Sequence, residues 1–589
     1  MERRLLIVFA LTFLVIMLFQ PLLKKYGPQP PAKTDTAAEH SAGQPAAAVS
    51  TQSLAQQRTP DFVAQGIKVG RESAPRQATS ESETVIENDV YRIVFTNRGA
   101  RVKSWVLKKY TDDKGGQLEL VNATAAEKYG YPLTLWTYDE ELRNKLNSAL
   151  YVGSHFATRT DTAGASPLGA SYTAPTEVVF GYSDGDLSIR KTYTFDSNSY
   201  VVGVKTDVIQ KGTPVTAFPM WPAGFGADMT GAQYALGQIV YQYDDKVERL
   251  AIKKISGGGT LQGPFNWAGV SDQYFAAAFM PQDPRNVALV TLRNPVEIPH
   301  GGSDTKQMDK IDVLGAAVGT LGGPSNVRLY VGPKALADLQ SVSVPGITGA
   351  EPDLRAVIDF GWLGIIARPL FLWLKWMHVY VKNWGWAILL QTLIINLALL
   401  PLRLSQMKSM LKMQRVAPQI KSIQEKYKKY SLRDPKKAEM NEEISALYKK
   451  EGVNPAGGCL PLLIQMPFLF AYYRMLNVAM DLRHAPWLWI HDLSAPDPLH
   501  ILPIAIIITM FAMQRMTPQA GMDPAQQKMM NIMMPGMLGL MSWNLPAGLG
   551  LYWSAGQLIG IVQQSVMNRT SLGREMREMM EKRARKKEK

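Results

Sequence analysis

"QTLIINLALLPLRL", Gln391–Leu404, decides how the second half of the chain is read. The run has the apolar character of a membrane span, yet it carries Gln391, Thr392 and Asn396, with Arg403 seven residues beyond Asn396. A polar group in hydrocarbon without a partner costs free energy, and a charge at the bilayer centre costs ~2.5–3.5 kcal/mol on insertion scales. Two readings are open. The polar groups bond to neighbouring helices, at ~0.6–2 kcal/mol per contact, or they line a wet space through which something passes. Seven residues are close to two helical turns, so Arg403 is expected on the face of Asn396, roughly 10 Å further along.

Working outward, the stretch falls in a span placed at 384–404, followed by apolar segments at 457–477, 499–515, 529–544 and 547–567. The last two are separated by "WNLPAG" and form a tight hairpin. A sixth span is expected near the start, where "LLIVFALTFLVIMLF" follows Arg3 and Arg4. No small-residue cleavage site follows closely, which favours an uncleaved anchor over residues 1–27 rather than a signal peptide. Residues 28–85 are rich in Pro, Ala, Gln, Ser and Thr and read as a flexible linker.

The chain has 589 residues, 46% of them hydrophobic, and a net charge of +14. Most of that charge lies in two blocks: residues 403–451 hold thirteen basic against six acidic side chains, and 567–589 hold nine against four. Both blocks flank apolar spans, so they point to a membrane rather than to nucleic acid. By the positive-inside rule both are cytoplasmic, while the loop 478–498, with one arginine and three aspartates, is outside. Both termini are then cytoplasmic, and everything between the first two spans is exported. The single cysteine, Cys459, excludes an intramolecular disulfide.

The exported residues 86–345 read as a large all-β sandwich: "YRIVFTN", "LSIRKTYTFD", "VALVTL" and "VRLYVG" alternate or are β-branched between turn residues. His155 and His300 stand apart, and no metal-ligand spacing, nucleophile elbow or phosphate loop is present. No catalytic residue, metal or cofactor is expected, and no enzyme. Residues 346–383 are apolar and aromatic with recurring charges at Arg355, Asp359, Arg368 and Lys375, as in an amphipathic helix lying in the outer interface, with Trp362, Trp373 and Trp376 at headgroup level. Residues 405–456 contain two charged helical patterns with apolar stripes, Met407, Met410, Leu411 and Met413 on one and Ile444, Leu447 and Tyr448 on the other, and read as a cytoplasmic helical hairpin. The fold class is thus a multi-span α-helical membrane protein of six transmembrane helices with a large exported β domain. Residues 568–589 form a basic cytoplasmic tail.

"YKKEGVNPAGGCLPLLIQMPFLFAYYRML", "DLRHAPWLWIHDLSAPDP", "DPAQQKMMNIMMP" and "PAGLGLYWSAGQLIGIVQQ", in that order, closely resemble the YidC/Oxa1/Alb3 family of membrane protein insertases. The likeness covers about residues 354–570, and the anchor, linker and β domain resemble the Gram-negative form. It implies five core helices around a hydrophilic groove, open to cytoplasm and lipid and closed toward the periplasm. It further implies a periplasmic β domain similar to sugar-mutarotase folds, insertion and chaperoning of inner-membrane proteins without nucleotide, and work both alone and with the Sec translocon and its accessory subunits. Nascent integral membrane proteins are the implied clients. The basic tail and hairpin are expected to meet the translating ribosome or anionic lipids.

The resemblance makes Gln391, Thr392, Asn396, Arg403 and Trp553 the candidate groove residues. Thr392 matches a groove threonine of the family. The family's arginine, five residues before Pro401–Leu402, is replaced here by Asn396, and Trp553 stands where the Gram-negative pattern often has a second tyrosine. Arg403 then either supplies the missing positive field from the groove mouth or is a flank that snorkels to headgroups. Two other function classes are weighed. A small-molecule transporter is expected to show inverted repeats, which five spans with uneven loops lack, and a cell-envelope enzyme would need an active site in the β domain.

Overall fold

The computed structural model describes residues 76–156, 166–226, 237–243, 246–299, 308–342, 354–428, 430, 434–453, 460–516, 529–570 and 574. The expected anchor 1–27, the linker up to residue 75, His300, Cys459 and all of the basic tail beyond residue 574 lie outside these residues.

The β domain begins earlier than residue 86, with a strand at Glu83–Glu87. It contains three sheets rather than the two of a simple sandwich. The largest runs Lys246–Ala251, Gln238–Tyr243, Phe265–Ser271, Phe275–Pro281, Ser325–Pro333, Val201–Gln210, Leu187–Phe195, Thr176–Asp184 and Val152–Phe156 in spatial order, with short strands at its margins. A second sheet is built around Glu83–Glu87, Tyr91–Thr96 and Arg101–Thr111, and a third around the thirteen-residue strands Val287–Pro299 and Met308–Thr320. Among the described residues one strand pairing is parallel, Glu83–Glu87 with Ser171–Thr173. The chain leaves the second sheet after Glu119 and returns to it only at Ser171, a connection long enough to permit that direction. Among the described residues the domain also has three short α-helices, α1 (Ala123–Tyr129), α2 (Glu140–Ser148) and α3 (Leu336–Gln340).

Alternation along Leu187–Phe195 turns Leu187, Ile189, Tyr193 and Phe195 into the core, and Lys191 with them. The ammonium is satisfied by three backbone carbonyls, donating to Gly99 O at 2.7 Å, Leu133 O at 2.9 Å and Ala100 O at 3.3 Å. All three residues have positive φ, an unusual conformation for alanine and leucine that aims the carbonyls inward. Burial pushes the Lys191 ammonium down to about 7.

The helical part starts with α4 (Gly364–Val381) and α5 (Trp384–Ala398). Asn383 caps α5 by accepting from the Trp386 N–H, and Gly385 lets the Trp487 ring lie where a Cβ would stand 2.2 Å from it. The single helix expected over 384–404 is divided. α5 ends at Ala398, Leu399 carries the break, and α6 (Leu400–Lys426) continues from it. Pro401 is the cause, since it has no N–H for the carbonyl of Leu397 and its ring crowds that carbonyl. α6 pairs with α7 (Lys436–Lys450) as the hairpin, burying Val416 and Ile420 beside Ile444, Leu447 and Tyr448; the side chains of Met407, Met410 and Leu411 lie outside the description. α8 (Leu460–Val478), α9 (Ile501–Met516), α10 (Met534–Met541) and α11 (Ala547–Arg569) follow. The segment expected as a regular span at 529–544 is a π-turn, the short α10 and a 3₁₀ turn, in keeping with Pro535 and Gly536 inside it.

Among the described residues no helix is long and apolar enough to cross a membrane. α5, at 15 residues, is about 22 Å long against a hydrocarbon core of roughly 30 Å. α11 has 23 residues but carries Gln557, Gln563, Gln564 and Asn568. The outward faces are nonetheless apolar: Leu390, Leu393 and Leu397 on α5, Ile501, Ile504 and Ile508 on α9, and Leu558, Val562 and Val566 on α11 are all exposed. Their three- and four-residue spacing puts each set on one stripe.

The β domain docks on the helices through a turn at Asp272–Phe275. Gln273 Nε2 donates to Asn477 O at 2.9 Å, and Asp272 Oδ1 accepts from the Tyr274 and Phe275 N–H groups. Lys334 donates to the Asp272 carbonyl at 2.7 Å. Burial raises the Asp272 carboxyl to about 6 and lowers Lys334 to about 8. The unfolded chain ionises Asp272 near 3.8 while the folded chain holds the proton to about 6, so this group's contribution to stability is full below about 4 and is lost as pH rises through 6. Asn at this position keeps the Oδ1 acceptor without titrating. In urea unfolding followed by tryptophan fluorescence, the stability of wild type relative to Asp272→Asn is expected to fall between pH 4 and 6 and then level. A difference that is flat across that window contradicts the buried-carboxyl account.

Candidate functional site

The inner faces of α5 and α11 carry polar groups, whereas Leu390, Leu393 and Leu397 of α5 and Leu558, Val562 and Val566 of α11 are exposed on the opposite side. On α5 the inward stripe is Ile388, Gln391, Thr392, Ile395 and Asn396, all buried. On α11 it is Tyr552, Gly556, Gly560, Gln563 and Met567, and α11 packs on α5 and α9. Gly556 faces Asn396 and Thr392: a Cβ there would make ordinary contact with Asn396 Nδ2 at 3.8 Å and Thr392 Cγ2 at 3.9 Å.

The polar groups sort into two clusters. The first is a ring of hydrogen bonds around Asn396. Arg403 reaches back across the Leu399 break, its Nη2 donating to Asn396 Oδ1 at 3.1 Å and its Nη1 to Gln563 Oε1 at 2.8 Å. Gln563 Nε2 donates to the Asn396 backbone carbonyl at 3.2 Å, and Asn396 Nδ2 to Thr392 O at 2.8 Å. Two turns of backbone separate Asn396 from Arg403, and the length of the arginine side chain closes that gap. The guanidinium is therefore directed into the bundle, while its side chain is half-buried and retains access to solvent.

Nearer the N-terminal end of α5 lies the second cluster. Gln391 is fully buried; its Nε2 donates to Leu370 O of α4 at 3.0 Å, and its Oε1 accepts from the Tyr472 hydroxyl of α8 at 2.8 Å. The Tyr472 ring stacks on Tyr552 with centroids 4.0 Å apart and planes at 14°. Thr392 is also fully buried, its hydroxyl donating to Ile388 O one turn back at 2.7 Å.

Of the five residues singled out from sequence, Asn396 and Arg403 thus meet directly, Thr392 joins them through its backbone carbonyl, and Gln391 belongs to the other cluster. Trp553 is half-buried beside Tyr552, and no hydrogen bond joins it to either cluster among the described residues. Gln563, Gly560 and Tyr472 escaped the sequence reading. The stripe 552–556–560–563–567 has helical spacing and was open to detection, whereas the Tyr472 partner of Gln391 lies 81 residues away. Among the described residues no group of His, Cys, Asp or Glu is arranged to hold a metal.

Mutation of the second cluster separates packing from chemistry. Gln391→Leu and Tyr472→Phe are each expected to lower stability in detergent by about 0.6–2 kcal/mol, and the double variant by little more than Gln391→Leu alone. Thermal unfolding measures this, and full additivity would show that the bond contributes nothing.

Residues 83–373 match the family described as YidC periplasmic domain, and residues 376–574 match that described as 60Kd inner membrane protein. The membrane protein insertase YidC of Cupriavidus taiwanensis is 35% identical over 472 residues, covering 78% of this chain and 80% of that one. That of Syntrophus aciditrophicus is 31% identical over 584 residues, covering 97% and 100%. A crystal structure of an active YidC insertase, with its first transmembrane domain resolved, aligns over 84% of this chain and 94% of its own at 19% identity and a TM-score of 0.34. A galactose mutarotase-related enzyme from Lactobacillus acidophilus aligns over 43% of this chain at 11% identity and a TM-score of 0.26. With the periplasmic and inner-membrane parts both present and in order, the chain belongs to the YidC family of membrane protein insertases.

Proposed function

We propose that the chain inserts nascent integral membrane proteins through a groove whose working contacts are Asn396 and Arg403, with Thr392 supporting Asn396 from within α5. The observation that carries this reading is the two-faced character of α5 and α11. Their exposed faces are apolar and suited to lipid, and their facing sides close a hydrogen-bonded ring around one half-buried guanidinium.

The physical task is to carry a polar tail across hydrocarbon. Each unsatisfied backbone group costs several kcal/mol there, and a charge costs more. A groove that supplies donors, acceptors and a positive charge partway across divides that barrier, while the client's apolar segment leaves sideways into lipid. Hydrophobic transfer of that segment drives the step, so no nucleotide is needed. Gln391 acts differently in this scheme, pinning α5 to α4 and α8.

In the same reading the chain crosses the inner membrane six times, the first span lying in residues 1–27 and the other five forming the core. Both termini and the 405–456 hairpin face the cytoplasm. The short α5 and fragmented α10 are accommodated by local adjustment of the bilayer or by the flanking residues. α4 lies in the outer interface, where its exposed Ile365, Trp376, Val379 and Tyr380, with Trp362 just before it, meet lipid. The Sec translocon is a proposed partner of the chain, and the translating ribosome and anionic lipids are the partners proposed for the basic hairpin and tail.

Proteoliposomes containing only this chain test the proposal. Protease protection of a short single-span client with a polar translocated tail is expected with wild type. Asn396→Ala and Arg403→Gln are each expected to lower it about tenfold, the factor that ~1.4 kcal/mol in a barrier gives. Wild-type insertion with both variants unimpaired would move the working contacts elsewhere in the bundle.

A further inference from the structure

The loop between α8 and α9 covers one end of the helical part. Arg483 donates to Thr111 O and to Asp113 Oδ1, both at 2.8 Å, and His484 Nδ1 lies 3.0 Å from Thr111 Oγ1. Thr111 and Asp113 fall in the part that matches the periplasmic domain, so this end is the periplasmic one. A polar tail that has passed the Arg403 ring meets this loop before it reaches water.

The loop has two unequal parts. From Leu482 to Leu493 it is a plug: Leu482, Trp487, Ile490 and Leu493 are buried in the apolar cluster that also holds Ile388 of α5 and Leu549 of α11. From Ser494 to Pro498 it is a strap, in which only Asp497 is buried. The strap lies across the first turn of α11. The Ala547 N–H donates to Ala495 O at 2.7 Å and the Gly548 N–H to Leu493 O at 2.8 Å, with Pro496 and Pro546 side by side. Unseating the plug bares four large apolar side chains, whereas lifting the strap frees backbone groups that water or a passing chain can satisfy, so the strap yields first.

Asp497 fixes the far end of the strap. Its Oδ1 accepts from Trp489 Nε1 at 3.0 Å and from the Leu499 N–H at 3.1 Å, and its Oδ2 from the Leu502 N–H at 2.8 Å. His500, where the chain enters α9, has a φ of +54°, a strained conformation of the kind that clusters at switch regions. The seam between α9 and α11 joins this strap to the Arg403 ring, and glycines of α11 thin it. A Cβ at Gly550 would lie 3.2 Å from Leu502 Cβ, and one at Gly560 2.6 Å from Met513 Cε. Between these levels the hydroxyls of Thr509 on α9 and Ser554 on α11 are buried and bonded back to carbonyls of their own helices.

We infer that the Ser494–Pro498 strap is the periplasmic gate of the groove: a client's polar tail leaves along the α9–α11 seam by lifting the strap from the first turn of α11, while the plug stays seated. This rests on the groove reading of the previous subsection.

The test locks the strap in place. Pro496 and Pro546 stand opposite one another in an antiparallel pairing, where Cα atoms are about 4.5–5.5 Å apart and a disulfide fits. The full chain with Cys459→Ser, Pro496→Cys and Pro546→Cys is placed in proteoliposomes, with Cys459→Ser alone as the parent and the same single-span client. Oxidation of the double-cysteine variant is expected to lower protease protection of the tail by about tenfold. Dithiothreitol is expected to restore it, and the parent to respond to neither reagent. A packing defect would not be repaired by reduction. Equal insertion by the oxidised and reduced forms, with the bond complete by gel shift, overturns the inference. A photoreactive side chain at Pro496, exposed on the strap, or at Leu488, exposed on the plug, puts the same question without the disulfide. Capture of a stalled client's tail from 496 and not from 488 is expected; capture from 488 alone, or from neither, overturns the inference. Insertion by neither wild type nor the parent overturns the proposed function, and the inference with it.

Discussion

The paired hydrogen bonds from Arg403 to Asn396 and Gln563 join three helices at one point. A guanidinium among apolar helices is tolerated only when its donors are met and part of it reaches water. That requirement organises its surroundings. Pro401 breaks the helix so that Arg403 stands in the first turn of a new one, Gly560 leaves room for the guanidinium on the facing surface of α11, and Gln563 bonds to the Asn396 carbonyl as well as to the arginine. With a leucine in place of Arg403, Asn396 Oδ1 and Gln563 Oε1 would both be left as unspent acceptors in a low-dielectric interior, where such groups are costly.

A second set of charged contacts ties the periplasmic domain to the same helices from the other end. Asp359 lies between Arg474 of α8, at 2.9 Å, and Arg249 of the large sheet, at 3.9 Å. Asp113, on the turn after Arg101–Thr111, meets Arg483 at 2.8 Å, and Lys375 of α4 pairs with Asp481 at 3.1 Å. The residues on the helical side of these pairs cluster at the base of α8 and in α4, the helices that Gln391 also joins to α5. The β domain, α4 and α5 are thus linked through short polar contacts.

Much of this was legible in the sequence where one residue's environment follows from its own neighbourhood. Alternation in "LSIRKTYTF" marks a strand, and the polar set Gln391, Thr392 and Asn396 marks a face of α5 that differs from its lipid-like face. The break at Leu399 was also written locally, in Pro401, but a continuous apolar run masks it, since hydropathy averages over a proline. Long-range bonding was the illegible part. That Lys191 sits on three carbonyls turned inward by positive-φ residues depends on sheet packing some sixty to ninety residues away. Nothing near Gln391 announces Tyr472, and helical spacing alone does not show that Gln563 completes the ring around Asn396. Spacing does put Arg403 on the face of Asn396, but only packing decides whether such a side chain turns inward or outward.

The central claim is that a client's polar tail passes beside the Arg403 ring. A photoreactive side chain in place of Met513, whose Cε lies next to Gly560 and the guanidinium, measures this directly on a stalled, partly inserted client. The control position is Val562, exposed on the opposite, apolar face of α11. The account predicts that the polar tail is captured from position 513 and not from 562. Capture of the tail from 562 with none from 513 would contradict it.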